Sequence, residues 1–154
     1  MRTRSIISER QRIDALFQKI SLFSSDPEVA SHWAKYLCVI TSGFIENALR
    51  DIFRQYVEQR APPEIVNYVV SKLYKDSQNP KFGVIVDVAG KFDPVFAQEL
   101  EKVEEDLKDA VDSIVENRHK ISHGESVGLT YSRINEYYEK VKVVAEKLEA
   151  LVLK

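Results

Sequence analysis

Residues 28–60 read EVASHWAKYLCVITSGFIENALRDIFRQYVEQR. The stretch contains no proline, and its lone glycine, Gly43, sits in the middle. Val29, Trp33, Leu37, Ile40, Phe44, Leu49, Ile52, Phe53 and Tyr56 fit one broad buried face at helical spacing. The pattern predicts one long helix, ended by Ala61, Pro62 and Pro63, because a residue before proline is pushed out of the α region. Upstream, Asp26 can cap this helix while Pro27 takes its first turn, where a missing N–H leaves no bond unmade. An apolar face of that length has to be covered by other elements, and the flanking sequence supplies them as helices.

Before it, Ile6, Ile13, Leu16, Phe17, Ile20 and Phe23 form a single apolar stripe, followed by the punctuation Ser24, Ser25 and Asp26. After it, Glu64 to Tyr74 reads as a shorter helix carrying Ile65, Val69 and Leu73, and Asp76 to Pro80 as a loop. The run FGVIVDV (82–88) has β-branched composition that would suit a strand. A lone strand has nothing to pair with, so the run is read as helix. Asp93-Pro94 repeats the cap-then-proline signal. Leu100, Val103, Leu107, Val111, Ile114 and Val115 continue in helical steps, with a break near Glu104 and an end at His123-Gly124. Ile134, Tyr138, Val141, Ala145, Leu148 and Val152 mark a last helix. The expected fold is all-α, a bundle of five to seven helices.

Composition bounds the function. With 154 residues the chain (1–154) suits one domain with one core. It is 44% hydrophobic and 30% charged, the balance of a soluble globular protein. Lysine and arginine total 22 against 24 acidic residues, which excludes a protein that holds nucleic acid by bulk positive charge. A local basic pocket remains open to RNA. One cysteine, Cys38, excludes an intramolecular disulfide and a Cys-rich zinc module and points to a reducing compartment. No apolar run is long enough to span a bilayer, so no membrane association is expected. The start MRTRSIISERQR is basic without the apolar core of a secretory signal, which makes a cytoplasmic location the expectation.

Two of the three histidines fall within Glu116-Asn117-Arg118-His119-Lys120-Ile121-Ser122-His123-Gly124. Following the stripe Leu107, Val111, Ile114 forward by helical steps lands on Arg118, then Ile121. An arginine on that stripe needs a partner, since burying an unpaired guanidinium is costly. Glu46 on the long helix is one candidate partner. His123 lies five residues on, a rotation of roughly 140° on a regular helix. Either the last turn relaxes at Gly124 and swings His123 round, or each residue meets its counterpart from a second chain. His119 and His123 are four apart and share a face, the spacing of a helical metal pair. Glu125 is the nearest third ligand, and no Glu follows His119 as a zinc-protease signature requires, so no metal or cofactor is assigned.

The string Arg118 to His123 has the Arg-x4-His form of the HEPN superfamily, with a polar residue after the arginine and glycine after the histidine. YLCVITSGFIENALRDIF (36–53), QNPKF (78–82), KFDP (91–94) and IVENRHKISHG (114–124), in that order, resemble its RiboL-PSP-HEPN branch from about Trp33 to Leu148. The resemblance implies an all-α homodimer in which motifs from two chains meet in one composite site. It implies a metal-independent endoribonuclease, since active members are such enzymes, often toxins or effectors of defence and stress systems, and it leaves room for a protein antitoxin or regulator as a partner. Arg118 and His123 then become the catalytic pair, His119 the polar position of the motif, and Glu46 the acidic position that contacts the arginine. The residue types suit such chemistry. Histidine exchanges protons near neutrality, and arginine offers phosphate a planar fork of donors. Asn117 and Ser122 can add hydrogen bonds. A non-catalytic module of the same fold, binding a nucleotide or a protein, is the alternative.

Other constellations have ordinary readings. Glu101, Glu104, Glu105, Asp106 and Asp109 read as a solvated helix face, and the acidic stretch 99–116 argues against a broad RNA track. Arg50 and Arg54 suit phosphate binding or surface ion pairs. Cys38 reads as a small core residue. Tyr131, Tyr137 and Tyr138 can stack on bases or pack a helix.

Overall fold

Seven α-helices follow one another in a computed structural model that describes residues 3–22 and 26–154. They are α1 (Arg4–Ser21), α2 (Pro27–Glu58), α3 (Pro63–Asp76), α4 (Phe82–Phe92), α5 (Pro94–Glu101), α6 (Glu105–Ser122) and α7 (Tyr131–Val152). Phe23, Ser24 and Ser25, assigned above to the first stripe and the turn after it, lie outside the described residues. The two cap signals work as read. Asp26 accepts the Glu28 N–H at 2.9 Å and Asp93 accepts the Val95 N–H at 2.9 Å, each with proline in the first turn. The 82–88 run is helical, and its Phe82, Ile85 and Val88 face the core.

α2 is the axis of the bundle. α1 runs antiparallel to it, with Ser5 Oγ donating to Asp51 at 2.8 Å and Asn47 Nδ2 to Glu9 at 3.0 Å. α7 runs antiparallel to α1. Thr3 N–H donates to Glu149 at 2.6 Å, Tyr138 O–H to Asp14 at 2.8 Å and Tyr131 O–H to the Phe17 carbonyl at 2.9 Å. Tyr131 and Tyr138 therefore pack and tie helices. Burial and the Asp14 carboxylate push the Tyr138 phenol well above its ordinary value. At the far end of α2, Phe53 stacks on Phe92 at 4.4 Å between centroids and lies near Tyr56 and Phe96, which seats α4 and α5.

The buried face of α2 is narrower than the sequence suggested. Val29 and Trp33 are exposed, 42% and 36%. The reason is length: α1 ends at Ser21, about level with residue 35 in the antiparallel register, so it does not reach Val29 and Trp33. On α3, Val66 and Leu73 face the core, whereas Ile65 is exposed and Val69 half-buried. The helix starts at Pro63 and pairs with α2 on the side one residue round from the expected stripe.

Cys38 is fully buried, and its thiol donates to the Ile114 carbonyl at 3.5 Å. Burial pushes the thiol up to about 12, opposed by the smaller pull of the Arg118 guanidinium. A raised folded value stabilises the protein fully below the ordinary thiol range, and that contribution is lost as pH rises towards 12. Native protein at pH 8 is therefore expected to react with iodoacetamide at least 100-fold more slowly than urea-unfolded protein, as measured by intact mass. Equal rates would contradict the buried placement.

Candidate functional site

α6 ends where the sequence places its chemistry. The helix stays regular to Ser122, His123 follows as its C-cap, and Gly124 takes φ +71°, the left-handed conformation that glycine adopts without strain. Arg118 is half-buried and forms no ion pair or hydrogen bond among the described residues. His119 and His123 are exposed, with ring centroids 4.4 Å apart, so the expected shared face holds. Asn117 Nδ2 donates to the Ser113 carbonyl at 2.8 Å and Ser122 Oγ to the His119 carbonyl at 2.8 Å. Each side chain thus bonds back to its own helix.

Two open clefts meet at Arg118. One, of about 630 Å³, runs between α6 and the start of α4 and includes Asn79, Lys81, Arg118, His119, Lys120 and Glu125. The other, of about 570 Å³, lies between α2 and the end of α3 and includes Glu46, Arg50, Lys75, Asn79 and Arg118. His123 lines neither. The regular helix keeps it round the corner from Arg118 within one chain, so the last turn does not swing it inward.

Glu46 lines the cleft but is not the partner of Arg118. Its carboxylate forms an ion pair with Arg50 Nη1 at 2.7 Å and accepts the Asn79 N–H at 2.6 Å. Arg50, one turn along the same helix, reaches it more directly than a residue of α6 can. Arg50 also donates to Ser77 Oγ at 2.9 Å and to the Tyr74 carbonyl at 3.1 Å, and lies over the Tyr74 ring. Glu46 and Arg50 therefore clamp the α3–α4 loop against the cleft. Arg54 instead pairs with Glu58 at the surface, 3.0 Å away.

Basic groups gather locally despite the net charge of −2. Lys75, Lys81, Arg118 and Lys120 line the clefts. Lys81 is bonded to Glu116 at 2.9 Å; that hydrogen bond raises the ammonium and lowers the carboxyl relative to their ordinary values. The acidic residues 101–109 form an exposed face, with Glu104 and Asp106 engaged by Lys147 and Lys140. Among the described residues, no group of three or more His, Cys, Asp and Glu is arranged to hold a metal ion. No helix among them is long and apolar enough to cross a membrane.

The model of the RiboL-PSP-HEPN family matches residues 4–154. The chain belongs to this family. No curated protein and no solved structure matches it. The HEPN assignment accounts for the helical bundle and suggests an RNA-related module as the coarse functional class. Sequence spacing names Arg118 and His119, which line the first cleft, and His123, which lines neither. It does not mark Asn79, Lys81 and Lys120 as cleft residues, although the Asn79-Pro80 pair signals a turn beside whatever it touches.

Proposed function

We propose that this HEPN domain is a metal-independent endoribonuclease whose composite site combines Arg118 and His123 at a homodimer interface. The observation that carries the reading is Arg118, a guanidinium with no carboxylate bonded to it among the described residues, at the junction of two open basic clefts. Its planar fork is free for phosphate oxygens. Cleavage follows from the residue types. A histidine takes the 2′-hydroxyl proton as that oxygen attacks phosphorus, and the 5′-oxygen leaves with a proton from a second acid. Arg118 steadies the charge on the phosphorane. The products carry a 2′,3′-cyclic phosphate and a 5′-hydroxyl, and no metal enters the balance.

This reading requires a second chain, because His123 and Arg118 do not share a cleft within one. α2 carries an exposed apolar strip, Val29, Trp33, Tyr36 and Val39. Gly43 continues it, although a Cβ there would meet nothing within 4 Å. A mid-helix glycine costs about 1 kcal/mol relative to alanine, and no contact among the described residues requires one here. Close approach of a second copy would. Val39, Gly43, Glu46 and Arg50 recur at steps of four, three and four, so the strip and the cleft share a side of α2. The groove between α1 and α2 has Glu9 towards one end and Lys19 towards the other. A two-fold axis across it sets acid against base. Val39→Glu is expected to shift the protein from dimer to monomer in sedimentation and to lower cleavage with it. An unchanged dimer would reject this face.

The direct test incubates wild-type protein with a mixed RNA pool in EDTA and reads the product ends. Cyclic-phosphate ends that disappear in His123→Ala support the proposal. The alternative, a non-catalytic binding module, draws on the distance of His123 from both clefts, and RNA binding without any cleavage would favour it. A role as a toxin or a defence effector under a protein regulator is an extension of the ribonuclease reading.

A further inference from the structure

Asn79 has φ 45°, the one positive φ at a non-glycine residue among those described. Left-handed backbone is strained for L-residues, and asparagine tolerates it better than most, yet glycine would adopt it freely. The strain is held on both sides. Glu46 accepts the Asn79 N–H, Arg50 fixes Ser77 and the Tyr74 carbonyl, and Ser77 and Pro80 are buried. If the turn alone mattered, the side chain would be dispensable. Asn79 is half-buried as a residue, and its side-chain carboxamide forms no hydrogen bond among the described residues. Asn79 and Arg118 are also the two residues that line both clefts. A rigidly mounted backbone thus presents an unused donor and acceptor beside the guanidinium.

We propose that Asn79 is a specificity-determining residue whose amide reads the edge of the RNA base attached to the phosphate held by Arg118. This rests on Arg118 as the phosphate-binding group. A carboxamide offers one donor and one acceptor side by side, the complement of adenine N7 and N6 amino group. Recognition of base edges in this way belongs to unpaired nucleotides, whose edges are free. The substrate class is therefore single-stranded or loop RNA with adenine at the cleavage site. Glu46 acts through the loop as a positioning residue.

The test compares kcat/KM for short single-stranded oligonucleotides that differ only in the base at the cleavage position. Wild type is expected to favour adenine over uracil by about 10-fold or more. Asn79→Gly retains the left-handed backbone and the N–H bonded to Glu46, and is expected to erase that ratio. Asn79→Asp replaces the amide donor with an acceptor and is expected to move the preference towards cytosine, whose amino group donates. A purely structural role would lower all substrates together and leave the ratio unmoved, which would overturn the proposal. Should wild type cleave nothing, the ribonuclease reading fails on its own. Anisotropy with labelled A10 and U10 RNA then decides the inference. A preference for A10 lost in Asn79→Gly sustains it; equal affinity or no binding overturns it.

Discussion

Arg118→Ala and His123→Ala are each expected to lower RNA cleavage by about 10²- to 10⁴-fold, the range for losing a phosphate-charge donor or a general acid–base group. The fold should be untouched. His123 is exposed at the helix cap, and exposed changes of this kind usually fall within about 0.5 kcal/mol. Among the described residues Arg118 has no ion pair whose loss would strand a buried carboxylate. Circular dichroism melts and sedimentation should match wild type for both. Arg118→Lys separates charge from geometry: it keeps the positive group, loses the bidentate fork, and should recover only part of the rate. Wild-type cleavage in both alanine variants would remove the motif from the chemistry.

Phe53→Ala is expected to cost about 3–5 kcal/mol of stability. Phe53 is fully buried, and its ring stacks on Phe92 and contacts Tyr56 and Phe96. Truncation leaves a ring-sized gap between α2 and the α4–α5 pair, and those helices were placed by that ring. Urea denaturation should show the loss in its midpoint, and the melting temperature should fall by about 10 °C or more. Phe53→Leu fills most of the gap and should cost clearly less. A loss below about 1 kcal/mol for the alanine variant would mean that the aromatic cluster does not seat α4 and α5.

Local signals carried much of this architecture. Asp26-Pro27 and Asp93-Pro94 announced helix starts through short-range capping, which needs no tertiary partner. The 82–88 run was settled by an argument about the whole chain, since its composition alone suits a strand. The stripe of α6 led forward to Arg118, and the four-residue spacing placed His119 against His123. The length of α1 was the hidden variable for Val29 and Trp33. Periodicity reports which side of a helix is apolar, not whether another element reaches far enough to cover it.

The charged partners were less legible. Spacing offered Glu46 to Arg118, but Arg50 and the Asn79 N–H take that carboxylate, because distance and direction decide ion pairs and sequence records neither. The sequence by itself determined the helical bundle, the cap positions and the motif at the end of α6, all consequences of short-range bonding and apolar period. Tertiary structure alone decided that Arg118 stays unpaired among the described residues and that Asn79 is strained into the junction of two clefts. Those outcomes depend on how α2, α3, α4 and α6 meet, and packing between distant segments leaves no periodic trace in any one of them.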